Sequence, residues 1–233
     1  SIITFITLFF ITDYALPLFQ IVENKNPLCQ IIISELKPDY EIFSADELNY
    51  FIERMTGTQL NIGIDSEPLS DGNKILIGTY ESNKYIRELY NKGLIIPRKE
   101  LKEEEYIIKT ISDAGRDYIV VLGADKRGVI YGTYELIKKM IEKHTGLKTV
   151  DLDINITQFH TLAIEELNIR SSPFYPIRCA LSKEDPIWMS RHRLNVSGAE
   201  GVWDGTGIND GLGTAFKYVY DSQFDDFQDE PFD

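Results

Sequence analysis

Between Leu28 and Lys143, five short runs rich in Ile, Val, Leu and Tyr alternate with three amphipathic stretches. That alternation restricts the chain to a sheet with helices packed on it. Leu28–Ser34 reads as a largely buried strand. Ser44 and Glu47 have the Ser-x-x-Glu spacing of a capping box, which predicts a helix opening at Ser44. Leu48, Phe51, Ile52 and Met55 follow at helical spacing, and Gly57 marks the end. Leu60–Ile64 and Lys74–Gly78 read as the next two strands, with a turn at Ser70-Asp71-Gly72-Asn73 before the second. A second helix is predicted over Glu81–Lys92, burying Ile86, Leu89 and Tyr90. Tyr106–Ser112 and Tyr118–Leu122 flank Asp113-Ala114-Gly115-Arg116 and so predict a hairpin. The third helix runs over Lys126–Lys143, with Asp125 as its N-cap and a stripe at Ile130, Tyr134, Ile137 and Ile141. The order β-α-β-β-α-β-β-α predicts an α+β fold: a mixed sheet with an antiparallel hairpin and helices packed on it.

Composition narrows the function classes. The 233 residues carry a formal net charge of −13, which argues against nucleic acid or an anionic membrane surface as partner. Two cysteines, Cys29 and Cys179, exclude a disulfide scaffold and a Cys-rich metal site, although the two are able to pair in an oxidising compartment. The first twelve residues, SIITFITLFFIT, hold no charge and are too few for a membrane-spanning helix of about 20 residues. They read as the remnant of a secretory signal, or alternatively as a buried strand. At the other end, Asp225–Asp233 is an acidic tail without helical or strand period. The expected organisation is an apolar segment 1–21, an α+β domain 22–150, a connecting segment 151–176 and a further segment 177–233.

No catalytic constellation is legible. Gly78 and Gly123 end strands without opening a phosphate loop, and there is no Gly-x-Ser-x-Gly elbow. His144, His160 and His192 lack metal-ligand spacing, so neither a metal nor a cofactor is expected. Glu165-Glu166 and Glu184-Asp185 are adjacent pairs whose side chains diverge, which makes them poor acid/base partners. Gly128 and Gly132 sit four apart on one helical face, where another backbone can approach closely. Tyr131 and Tyr134 flank them, and packing against the sheet is the expected role, with sugar contact as the alternative.

Three strings carry a family resemblance: Ser44–Leu60, Ile75-Leu76-Ile77-Gly78, and above all Gly123–Leu136 with its Asp-Lys-Arg-Gly and Tyr-Gly-Thr-Tyr-Glu-Leu. Over about residues 22–145 the chain resembles the non-catalytic N-terminal domain that precedes the barrel in β-N-acetylhexosaminidases of family 20 and α-glucuronidases of families 67 and 115. That resemblance implies that Pro173–Arg178 leads into a (β/α)₈ barrel and that Trp188–Asn195 is its first helix. Arg178 matches an arginine that hydrogen-bonds substrate hydroxyls, although Cys179 stands where the family-20 pattern has glycine. Trp203, in a glycine-rich stretch, offers a ring for stacking on a sugar, as does Trp188.

A barrel needs about 250 residues, and residues 178–233 are far fewer. The resemblance therefore implies the N-terminal accessory region of an exported carbohydrate-active enzyme, secreted, periplasmic or on the cell surface, inactive without its barrel. Two alternatives stand beside it. One is a stand-alone glycan-binding or surface-interaction module using Arg178, Trp188 and Trp203. The other is a structural domain that binds only its own C-terminal part.

Overall fold

The computed structural model describes residues 18–96, 101–148, 152, 156–174, 179–180, 187, 191–193 and 196–197. At its centre is a six-stranded mixed sheet. The strands are β3 (Cys29–Ile33), β4 (Asn61–Ile64), β5 (Asn73–Gly78), β6 (Tyr106–Asp113), β7 (Arg116–Gly123) and β9 (Asn168–Ser171), in the order β4-β3-β5-β7-β6-β9. β4, β3, β5 and β7 run parallel, while β6 is antiparallel to both β7 and β9. A smaller antiparallel sheet joins β1 (Phe19–Glu23) to β2 (Asn26–Pro27) and to β8 (Leu162–Ile164).

Strand periodicity sorts the side chains into two cores. Ile31, Ile33, Ile75, Ile77, Ile119 and Val121 face α1 (Asp39–Thr56), α3 (Lys126–Thr145) and the small sheet. Ile32, Leu76, Tyr118, Val120 and Leu122 face the opposite way, towards α2 (Lys84–Asn91). The result is three layers, with α1 and α3 on one side of the sheet and α2 on the other. The mixed sheet, its hairpin and the packed helices are those the sequence predicts.

Several local expectations are corrected. Helix α1 begins at Asp39, not at Ser44: Pro38 is its N-cap, and Ser44 is buried inside the helix. Proline pre-sets the backbone at φ −63° and needs no side-chain cap here, so the helix starts five residues early. Helix α2 begins at Lys84 rather than Glu81, because the Asn83 side chain accepts from the Tyr85 and Ile86 amides. Tyr90, expected in the core, is 37% exposed and packs edge-to-face with the Tyr80 ring. β1 and β2 were not legible, and the segment expected only to connect contributes β8 and β9. Cys29 is a buried free thiol in this structure and burial pushes its pKa up, while the side chain of Cys179 lies outside what the structure describes. The apolar segment 1–17 and the acidic tail lie outside the described residues.

The early start of α1 buries a carboxyl. Glu41 is 0% exposed, and its Oε2 accepts the Ser34 amide at 2.7 Å, tying the helix to the end of β3. Burial pushes the Glu41 carboxyl up, with the Asp65 carboxylate adding to the shift. The Ser82 hydroxyl, the Ser34 N–H and the Tyr40 hydroxyl work the other way. A folded-state pKa above the unfolded value of about 4.3 means that the stabilisation is complete below that pH. It is lost as pH rises through the folded pKa. Glu41→Gln keeps an acceptor for Ser34 and has no proton to lose. Urea midpoints measured from pH 5 to pH 9 should therefore show the wild type losing ground steadily to the variant. Two parallel curves would refute the buried-acid reading.

Candidate functional site

Around α3, charged groups from distant segments of the chain come together. The start of the helix is fixed first. The Asp125 carboxylate accepts the Gly128 amide at 2.9 Å and the Glu104 amide at 2.7 Å, capping the helix and holding the preceding loop to it. Arg127 reaches back to Glu104 at 2.8 Å, with both side chains nearly inaccessible. The Arg170 guanidinium of β9 bonds the neighbouring Glu105. Burial pushes the Glu105 carboxyl up, but Arg170 and the Lys102 amide together outweigh it and hold it below the usual carboxylate range.

Gly128 lets this happen. A Cβ at that position would lie 2.4 Å from the Glu105 carbonyl oxygen, so only glycine allows the helix to approach so closely. One turn on, a Cβ at Gly132 would lie 3.0 Å from Val121 and 3.2 Å from Tyr106. Tyr131 is 0% exposed and Tyr134 3%, which rules out the sugar-contact alternative for both rings. The Tyr134 hydroxyl donates to Glu47 Oε2 at 2.8 Å.

Glu47 is the link to the C-terminal part. Its Oε2 also accepts from Arg191 Nη2 at 3.2 Å, and the Arg191 guanidinium lies 5.2 Å above the Phe51 ring centroid. Beside it, the Arg193 guanidinium bonds Glu135 and lies 5.3 Å above the Tyr106 ring. Each arginine thus combines an ion pair with a cation–π contact, and both partners lie on the α1/α3 layer or the strand beneath it. A cleft of about 270 Å³ remains between the two segments, lined by Tyr134, Glu135, Lys138 and residues 191–193. Just beyond, β10 (Cys179–Ala180) pairs in parallel with β11 (Val196–Ser197), with Ile187 and Arg191 helical in between. A strand–helix–strand passage that returns in parallel is the repeating unit of an α/β barrel.

Arg178, Trp188 and Trp203, the predicted substrate contacts, lie outside the described residues. Glu47, Glu135, Arg191 and Arg193 were not singled out by sequence reasoning. In the sequence Glu47 fits a capping box, and a pairing across 144 residues leaves no mark in a single sequence. Among the described residues no three His, Cys, Asp or Glu side chains are grouped closely enough to hold a metal ion.

Comparison with known proteins agrees with this architecture. A family GH115 4-O-methyl-α-glucuronidase with specificity for decorated arabinogalactans superposes with a TM-score of 0.51 at 21% identity, over 69% of this chain and 19% of that enzyme. A GH20 β-N-acetylhexosaminidase from Streptomyces coelicolor A3(2) gives 0.47 at 13% identity, over 78% of this chain and 31% of the other. The chain therefore spans less than a third of the length of either enzyme. No curated protein sequence matches it. The family model described as the glycosyl hydrolase family 67 N-terminus matches residues 20–136, from β1 through most of α3. With half its length covered by that match, and the same mixed sheet beneath it, the chain belongs to the family of glycosyl hydrolase family 67 N-terminal domains.

Proposed function

We propose that this chain is the non-catalytic N-terminal region of an exported carbohydrate-active enzyme, and that its α1/α3 layer seats the barrel that follows. The observation that carries the reading is the pairing of Glu47 with Arg191 and of Glu135 with Arg193. Glycoside hydrolysis uses two carboxyl groups about 5–9.5 Å apart on either side of the scissile bond. Here Glu47, Glu104, Glu105 and Glu135 each bond an arginine, which supports a structural role for them.

On this reading the accessory domain is 22–150, and 151–176 is a connecting segment woven into its sheets through β8 and β9. The barrel begins within 177–233, and residues 1–21 include the remnant of an export signal. No helix among the described residues is long and apolar enough to cross a membrane. Carbohydrate is the partner class expected from the family, with no role for nucleic acid.

Hydrogen exchange on the full chain tests the seating. In a Glu47→Gln/Glu135→Gln variant, residues 191–197 should exchange at least about tenfold faster, since charge-assisted bonds of this kind contribute about 1.5–3 kcal/mol each. Residues 28–143 should stay protected, and neither protein should hydrolyse aryl glycosides. Unchanged exchange at 191–197 would overturn the seating role. Turnover abolished by a single carboxylate substitution would overturn the non-catalytic one.

A further inference from the structure

We propose that a trough beside the β6–β7 turn binds a neutral pyranose sugar. It lies on the sheet face that carries α2, has a volume of about 250 Å³, and is lined by Tyr85, Glu88, Lys92, Asp113, Arg116 and Tyr118 among others. Pockets for drug-sized ligands run from about 300 to 1,000 Å³, so this one has the scale of a single ring rather than a peptide. A second depression of about 250 Å³ continues across the same turn to Asp71, Gly72 and Asn73, which leaves room for a second ring.

The chemistry of the lining selects the ligand class. Half-buried Tyr85 brings aromatic surface, with the Lys84 ammonium 5.2 Å from its ring centroid, while Tyr118 belongs to the core and forms the floor. The Tyr85 hydroxyl is fixed by its bond to the Glu67 carbonyl at 2.9 Å. Around them stand two cations, Lys92 and Arg116, and two carboxylates, Glu88 and Asp113, with Lys92 and Asp113 bonded to each other. Arg116 is steadied by the Ser70 carbonyl at 3.2 Å. The balance of charge gives an anionic ligand no advantage. Sugar hydroxyls both donate and accept, so a rim that mixes ammonium, guanidinium and carboxylate groups around an aromatic surface suits them.

Position matters as well. The trough and the Arg191/Arg193 contacts lie on opposite faces of the sheet, so a bound sugar does not compete with those two contacts. The site is thus separate from the Arg191 and Arg193 contacts on which the seating role rests.

The test is an NMR titration of the full ¹⁵N-labelled chain with xylobiose, galactobiose and glucuronate. A neutral disaccharide should shift the amides of Tyr85, Arg116 and Tyr118, saturating with Kd of about 1–10 mM. Glucuronate should bind at least about fivefold more weakly. Tyr85→Leu and Arg116→Gln should each weaken the response roughly tenfold, with the remaining amides unmoved. Should Tyr85→Leu fail to fold, Arg116→Gln on the turn still decides the matter. No saturable shift by about 50 mM of either neutral sugar would overturn the proposal. Shifts that survive the substitutions, shifts located elsewhere, or a preference for glucuronate would overturn it too. None of these results depends on how residues 191–197 exchange, so the two readings fail separately.

Discussion

Gly128→Ala should lower the stability of the fold by about 2 kcal/mol, even though alanine is the better helix former. Two effects of opposite sign meet at this position. On propensity alone, replacing a glycine inside a helix gains about 1 kcal/mol. Against that, the added methyl would sit 2.4 Å from the Glu105 carbonyl oxygen, a backbone atom that no rotamer change can move aside. Overpacking of this kind costs about 1–3 kcal/mol and more when the obstacle is rigid. The loop carrying Glu105 also holds the Glu104–Arg127 pair and the Arg170 contact, so a shift there disturbs both. Thermal unfolding should show a fall of roughly 4–8 °C. Gly132→Ala provides the graded comparison. Its methyl would meet Val121 Cγ1 at 3.0 Å and Tyr106 Cβ at 3.2 Å, contacts that a shift of a few tenths of an ångström relieves. Its loss should be under about 1 kcal/mol. A rise in melting temperature for Gly128→Ala would mean that α3 does not depend on close approach.

The largest expected loss is at the ion pair itself. Arg127→Met leaves the Glu104 carboxylate buried without its cation, and Glu104→Gln leaves the Arg127 guanidinium without its counter-charge. Both side chains are about nine-tenths inaccessible. Breaking one half of a buried pair costs about 3–5 kcal/mol, because the remaining charge has lost its solvent and its partner together. Replacing both residues removes that stranded charge. The Glu104→Gln/Arg127→Met double variant should accordingly regain at least half of the loss seen in either single variant. Urea unfolding of the four proteins gives the coupling directly. Additive losses would show that the two residues act separately, and that the 2.8 Å contact contributes little.

How much of this was legible in the sequence follows from the range of the interactions. Strands β3 to β7, the hairpin and the span of α3 depend on alternation, turn residues and helical spacing over a few positions and are legible, whereas β1, β2, β8 and β9 are not. Asp125 as an N-cap and the close approach at Gly128 belong to the same class, since a cap and a small residue act within one turn of their own helix. The start of α1 was misread because two local signals competed. A capping box at Ser44–Glu47 and a proline at position 38 both open helices, and burial of Tyr40 and Glu41 decided for the proline.

The sequence by itself determined the mixed sheet with its helices and the family to which the domain belongs. Only the tertiary structure decided which carboxylates hold which arginines. Glu47 meets Arg191, and Glu135 meets Arg193, because α1, α3 and the C-terminal segment are stacked by the core beneath them. An ion pair needs only opposite charges within a few ångströms. Which of 24 basic and 37 acidic residues come that close is set by the packing of the layers, not by their order along the chain.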